Sequence, residues 1–194
     1  MLTFEQLQAE LRPWVEHNFG KRPPWQPALG LQEEAGELAH AVLKKAQGIR
    51  GTAEEHDAAI RDAVADLVIF LADWCNGHAI APFGSGSFAD LQWAAVLSIG
   101  NGIAWKAALY IGSDVGALVH GEAANIGAHL DGRARMSAQA ISVARSIAHF
   151  CAISKIDLQQ AVEETWAKVR RRDWKANPSA ADVAVQSAAD EVSP

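Results

Sequence analysis

The fold of this chain is predicted by the stretch Gln32-Glu33-Glu34-Ala35-Gly36-Glu37-Leu38-Ala39-His40, together with a second, Asp62-Ala63-Val64-Ala65-Asp66-Leu67-Val68-Ile69-Phe70. In a helix Glu37 lies one turn from both Glu33 and Glu34, at spacings of four and three residues, and the two aspartates of the second stretch also lie one turn apart. Like charges so close together destabilise a helix unless a cation compensates, and carboxylate oxygens are the ligands that Mg²⁺ and Mn²⁺ prefer. The two stretches therefore predict two acidic helices that face each other around one metal site.

The rest of the chain also predicts helices. Alanine is abundant, apolar residues recur at steps of three and four, and β-branched runs are missing, so we expect an all-α fold. Thr3 with Gln6 and Thr52 with Glu55 form capping boxes, and the proline-rich linker 21–27 precedes the acidic helix. The predicted helices span residues 3–18, 27–47, 52–77, 88–110, 113–130, 137–152 and 158–171, and residues 177–194 are expected to form a disordered tail.

The acidic helix also carries apolar residues. We expect these side chains to be buried as one face: Leu29, Leu31, Leu38, Ala39, Val42 and Leu43. Cys75 and Cys151 each lie within an apolar helical pattern, without the spacing of a zinc site, so they are predicted to be buried thiols.

The composition narrows the possible partners and location. The 194 residues are 49% hydrophobic and 21% charged, as in soluble globular proteins, and no apolar run reaches the ~20 residues of a membrane span. The N-terminus lacks the basic and apolar regions of a signal peptide, so we expect a cytoplasmic protein without a membrane partner. A net charge of −6 argues against nonspecific binding of nucleic acid, which requires a basic surface.

The acidic motifs resemble those of a known superfamily. Glu34-x-x-Glu37, preceded by Glu33 and followed by a helix that ends in Asp66-Leu67-Val68-Ile69-Phe70-Leu71, is similar to the all-α nucleoside triphosphate pyrophosphohydrolases of the MazG-like superfamily. The resemblance to phage and actinobacterial members covers residues 17–77 and 156–174. It implies a helical bundle of that type and the hydrolysis of an NTP or dNTP between its α and β phosphates. The products would be a monophosphate and pyrophosphate, a housekeeping reaction of nucleotide pools.

The resemblance also implies a ligand set. Glu34, Glu37 and Asp66 would hold Mg²⁺, or Mn²⁺ in its place. The family pattern in the second helix is Glu-x-x-Asp, whereas Ala63 stands at the first of these positions here. Asp62 is then the nearest acid, either as a direct ligand or through water. Glu33 is assigned as the base that activates water, although an exposed acid without a role is the alternative.

Five further residues are candidates for contacts with the triphosphate. Lys44, Arg50, Arg172 and Lys175 follow the ends of two predicted helices and carry the charge that phosphates require. Each of these cations also fits a solvated surface. Trp25, at the end of the proline-rich linker, is placed to stack on a base, and packing in the core is the alternative.

Part of the chain repeats itself. Residues 33–40 align with 113–120 at an offset of 80, and residues 71–75 align with 147–151 at an offset of 76. We therefore predict a catalytic half, 1–80, and a degenerate second half, 81–176, which pack as an intramolecular pseudo-dimer. An unrelated helical insertion between residues 80 and 156 is the alternative. In the second half Ala117 replaces Glu37 and Ser142 replaces Asp66, which leaves Asp114 as a single acid.

The sequence leaves three alternative functions open. The related phosphoribosyl-ATP pyrophosphohydrolases use similar acidic helices. A nucleotide and metal sensor without turnover, or a phage–host interaction protein, would also keep most of these acids, and Ala63 is compatible with loss of catalysis. Members of the superfamily are oligomers of paired helical subunits, so a homodimer of pseudo-dimers is a further expectation. Base and sugar preference depend on the shape of the pocket and do not follow from the motifs.

Overall fold

A computed structural model describes residues 1–84, 86–96, 102–124 and 132–179. Within these ranges the chain forms seven helices and no named strand, which confirms the all-α prediction. The helices are α1 (Phe4–Phe19), α2 (Trp25–Gln47), α3 (Ala53–Gly77), α4 (Phe88–Val96), α5 (Ala104–Ala123), α6 (Gly132–Ser154) and α7 (Leu158–Val169). Most of the predicted tail, residues 180–194, lies outside the described residues.

The starts of α1 and α3 follow the predicted capping boxes. The hydroxyl of Thr3 accepts from the backbone N–H of Gln6 at 3.1 Å, and that of Thr52 accepts from the N–H of Glu55 at 3.1 Å. α2 begins at Trp25, two residues before its predicted start. A proline in the first turn of a helix is tolerated because the first N–H groups have no partner within the helix, so the helix does not have to wait for the last proline of the linker.

The predicted helix 88–110 is wrong. α4 ends at Val96, and α5 begins at Ala104 and continues through the predicted break near residue 112 to Ala123. Gly112 costs a helix about 1 kcal/mol, but Ile111 and Val115 on either side are fully buried, and the burial of each contributes about 1.5–3 kcal/mol. Burial of this face therefore keeps α5 continuous. Residues 97–101 and 125–131, which include the predicted end at 130, lie outside the described ranges.

The helices form two similar sets of three. α2 packs against α3 as α5 packs against α6, and α1 contacts α3 as α4 contacts α6. The two sets meet along α2 with α5 and along α3 with α6. α7 lies against α3 and also contacts α4. α3 therefore lies between α1, α7 and α6, and α2 lies between α3 and α5.

Both hairpins bury their residues in the same register. Every buried residue of α5 lies 80 positions after a buried residue of α2, and every buried residue of α6 lies 76 positions after a buried residue of α3. The buried residues of α5 are Ala107, Ala108, Ile111, Val115, Leu118 and Gly121, and those of α6 are Gly132, Met136, Ala140, Val143, Ala144, Ile147, Ala148, Phe150 and Cys151. The offsets are those found between the repeated stretches of the sequence.

The buried face of α2 is narrower than predicted. Leu31 and Leu38 are fully buried and Val42 is half-buried, whereas Leu29 and Leu43 are 55% and 49% exposed and Ala39 is also exposed. The neighbours of α2 cover only one stripe of the helix, and Leu29 and Leu43 lie well round the helix from Leu31. The wide apolar stripe of the sequence is therefore only partly a core face.

The two cysteines behave as predicted. Cys75 and Cys151 are buried and unpaired, and burial raises the pKa of both thiols. A search of the described helices found none with both the length and the apolarity needed to cross a membrane.

Candidate functional site

The five predicted carboxylates lie on the first hairpin. α2 positions Glu33, Glu34 and Glu37 in its middle turns, and α3 positions Asp62 and Asp66 in its own middle turns. Glu34 and Asp66 are half-buried, and the other three are exposed. We call these five residues the acid cluster. Its two inner members lie where the helices pack together, and its three outer members lie towards solvent.

The ionisation of Glu34 reports how close these groups are. The pKa of Glu34 is raised from 4.5 to about 8, first because the side chain is partly buried and then because of the negative charges of Asp66, Glu37, Glu33 and Asp62. Acids on both helices therefore act on one carboxyl group, which requires them to lie near it. The structure thus brings together the acidic residues that the two sequence stretches predicted to converge.

The donor chemistry of the acid cluster fits a divalent cation. Carboxylate oxygens suit Mg²⁺ and Mn²⁺, and Glu34 keeps its proton at neutral pH in the metal-free chain because partial burial, and then the neighbouring negative charges, disfavour its ionised form. In the described part of the chain, no three His, Cys, Asp or Glu side chains form a ready metal-binding group. The packing of α2 on α3 therefore brings the acids close enough to repel one another, but their side chains do not converge on one point.

Ala63 and its neighbour Asp62 differ in burial. Ala63, at the position of the usual glutamate, is only 3% exposed, whereas Asp62 is exposed and contributes to the raised pKa of Glu34. Asp62 and Asp66 are four residues apart and share a face of α3. In this chain Asp62 therefore belongs to the acid cluster, while position 63 faces the core.

A glycine missed by sequence reasoning lies one turn before Glu34. A Cβ atom on Gly30 would lie 2.4 Å from Cε1 of Phe70, which itself follows Asp66 by one turn. α2 and α3 therefore pack tightly beside the cluster, where a side chain at position 30 would overlap the Phe70 ring. The signal in the sequence was a glycine inside an otherwise helical pattern.

The predicted substrate-binding residues on the first half flank the cluster at a distance. Trp25 lies in the first turn of α2 and is 52% exposed, so the alternative of core packing is wrong. Lys44 lies in the last turn and donates to the side-chain oxygen of Gln47 at 3.0 Å. Arg50 is exposed in the connection to α3, with a positive φ of 60°. Trp25 and Lys44 therefore lie at opposite ends of α2, and Arg50 lies beyond its C-terminal end.

The two predicted cations after α7 lie near the end of α1. The carbonyl of Arg172 accepts from Nε1 of Trp14 at 3.2 Å, and its guanidinium lies 5.7 Å from the centre of the Trp174 ring. The backbone N–H of Trp174 donates to Asn18 at 2.6 Å, and Lys175 is exposed beside it. These contacts place Arg172 and Lys175 at the end of the bundle where α1 terminates, and none of them joins these two cations to the acid cluster.

No protein family, curated protein or solved structure matches this chain. Its function is inferred from the acid cluster on α2 and α3 and from the likeness of these residues to the superfamily motif. The fold provides a further observation, which is that two similar hairpins, α2 with α3 and α5 with α6, pack against each other.

Proposed function

We propose that this chain hydrolyses a nucleoside triphosphate, NTP or dNTP, to the monophosphate and pyrophosphate with the help of a divalent cation. The observation that carries the proposal is the raised pKa of Glu34, produced by burial and by four other carboxylates from two helices. A divalent cation would offset the negative charge of the four other carboxylates and favour the ionised form of Glu34, with release of its proton. The resemblance of the two acidic motifs to the superfamily supports the reaction.

Each residue of the acid cluster has a role in this proposal. Glu34, Glu37, Asp62 and Asp66 would hold the cation, which when bound neutralises phosphate charge and lowers the pKa of a water. Glu33 is exposed beside Glu34 and would accept the proton of the water that attacks the α phosphorus.

The second half supports the proposal as a degenerate copy. The shared burial register of the two hairpins and their equivalent packing support a duplication, and hence an intramolecular pseudo-dimer with one acid cluster. Asp114, at the position of Glu34, accepts a hydrogen bond from the hydroxyl of Ser146. A single carboxylate with a hydroxyl neighbour cannot hold Mg²⁺ against its strong hydration.

The test is an assay of purified full-length protein with Mg²⁺, a panel of NTPs and dNTPs, and phosphoribosyl-ATP, with the products resolved by chromatography. We expect a nucleoside monophosphate and pyrophosphate from at least one nucleoside triphosphate. Orthophosphate as the primary product would contradict the proposal. Turnover of phosphoribosyl-ATP alone would favour the related enzyme of histidine biosynthesis, and binding without turnover would favour a sensor.

Two nearly isosteric variants provide a matched comparison. Asp66→Asn removes a cluster carboxylate and should lower kcat by about a hundredfold or more, equivalent to ~3 kcal/mol of transition-state stabilisation. Asp114→Asn changes the acid of the second half that aligns with Glu34. This variant should keep turnover within a few-fold of wild type. Circular dichroism checks that both variants fold. Similar losses in the two variants would show that both halves contribute to catalysis.

A further inference from the structure

A cleft of about 590 Å³ lies in the second half, bounded by α4, α6 and the segment that contains Phe83. Small-molecule sites in proteins commonly occupy about 300–1,000 Å³, so the cleft is of a size that holds an organic ligand. None of its lining residues belongs to α2 or α3. It is therefore separate from the acid cluster.

The walls of the cleft differ in chemistry. One side is apolar and includes Phe83, Leu91 and Ala94, while α6 supplies every polar side chain. The lining residues from α6 are Ile141, Ser142, Arg145, Ser146 and His149. No carboxylate is among the described lining residues, although the chain as a whole carries a net charge of −6. The cleft therefore presents a cation and hydrogen-bonding groups on one side and apolar surface on the other.

The polar groups of α6 are available to a ligand. Among the described residues, Arg145, His149 and Ser142 have no hydrogen-bond or ion-pair partner, and Arg145 is exposed. Ser146 differs because its hydroxyl donates to Asp114 on α5. Asp114 is the acid that contacts this polar wall. Arg145, His149 and Ser142 thus offer donors that the described part of the chain does not use.

The offset between the hairpins identifies the residues of the first half that correspond to the polar wall of the cleft. Ser142 and Ser146 lie 76 positions after Asp66 and Phe70, and Arg145 lies 76 positions after Ile69. At these positions the second half has two hydroxyls where the first half has an acid and an aromatic ring, and a cation where the first half has an apolar residue. The face that gathers carboxylates in the first half therefore favours an anion in the second.

We propose that this cleft binds a nucleoside monophosphate. The guanidinium of Arg145 binds the phosphate, with His149 and the Ser142 hydroxyl as additional donors, and the base packs against Phe83 and the apolar side of α4. The cleft itself calls for an organic anion with an apolar ring. The choice of a nucleoside monophosphate rests on the proposed function, because it is the product of that reaction.

The test is isothermal titration of the full-length protein with AMP, GMP, CMP and UMP in the presence of EDTA, so that no divalent cation is bound at the acid cluster. We expect saturable binding of at least one monophosphate, and weaker binding of inorganic phosphate, which lacks the ring. Arg145→Gln should weaken binding by about tenfold or more because it removes the cation. Ala94→Phe should weaken it similarly by filling the cleft from α4.

Two control variants make the outcome specific. Arg133→Gln removes an exposed cation from the same helix outside the cleft and should leave the affinity unchanged. Glu37→Gln changes the acid cluster and should also leave it unchanged. No binding of any monophosphate, retained affinity in both cleft variants, or loss of affinity in Glu37→Gln would overturn the inference. If the protein hydrolyses a triphosphate but binds no monophosphate in the cleft, only this inference is overturned. If it binds a monophosphate in the cleft but hydrolyses no triphosphate, only the proposed function is overturned.

Discussion

At the scale of single residues, Glu34 combines partial burial with four negatively charged neighbours. Its pKa of about 8 lies well above the 4.5 of an ordinary glutamate. Between these two values the folded chain keeps the proton that the unfolded chain releases. The folded state therefore binds more protons in this window, and the metal-free protein should lose stability as the pH rises from about 4.5 to about 8.

Glu34→Gln should remove most of this pH dependence, because an amide does not titrate. The measurement is urea denaturation at several pH values between 5 and 8 in EDTA, with the slope of unfolding free energy against pH compared between variant and wild type. Glu54→Gln, which changes an exposed glutamate in the first turn of α3, is the control and should keep the wild-type slope. An unchanged slope in Glu34→Gln would mean that Glu34 ionises normally.

Glu37 provides a second test at this scale. Millimolar Mg²⁺ or Mn²⁺ should raise the Tm of the wild-type protein, because a cation that binds the acid cluster binds only the folded state, where these carboxylates lie together. Glu37→Gln should abolish this rise and should stabilise the metal-free protein by removing one negative charge. Thermal denaturation with and without metal gives both results. A wild-type Tm that is insensitive to metal, together with a neutral Glu37→Gln, would contradict the model of a clustered metal site.

At the scale of the helices, the approach of α2 to α3 depends on Gly30. A methyl group there would overlap the ring of Phe70, so Gly30→Ala should destabilise the protein by about 1–3 kcal/mol. Gly36→Ala is a matched control on the same helix, since a Cβ at Gly36 has no atom within 4 Å. The control should be neutral or stabilising by up to about 1 kcal/mol because alanine favours a helix. Urea denaturation measures both changes, and equal effects would show that Phe70 moves aside without cost.

At the scale of the whole molecule, a buried polar contact joins the two halves. Glu122 on α5 accepts from Nε1 of the fully buried Trp74 at 3.0 Å, and it also contacts Nε2 of His78 at 2.7 Å. Trp74 belongs to α3, and His78 caps it. This contact therefore ties the end of the first hairpin to the end of α5.

Glu122→Ala should destabilise the protein by about 1–3 kcal/mol, because the indole N–H of Trp74 loses its partner in a dry environment. Glu122→Gln retains one acceptor oxygen and should cost less. Glu164→Ala, which breaks the exposed pair with Arg61, is the control and should cost least. The measurement is urea denaturation monitored by tryptophan fluorescence. A Glu122→Ala variant as stable as the control would show that water or another group replaces the carboxylate.

Much of the fold followed from local relations in the sequence. The capping boxes at Thr3 and Thr52, the helical period and the repeated stretch all depend on residues that are close along the chain or on a fixed offset. The boundaries of α5 did not follow from such local relations. The continuity of α5 through Gly112 depends on the burial of Ile111 and Val115 against other helices. For the same reason, the exposure of Leu29 and Leu43 was not predictable from their apolar character.

The candidate site divides in the same way. The sequence by itself determined which acids share a helix face, because spacings of three and four residues place side chains together whatever surrounds them. Only the tertiary structure decided that Asp62 acts on Glu34 across the helix pair, that Gly30 lets the two helices approach, and that Ser142, Arg145 and His149 line a cleft in the second half. These features are distances between residues far apart in the chain, and they are set by how all the helices bury their apolar faces at once.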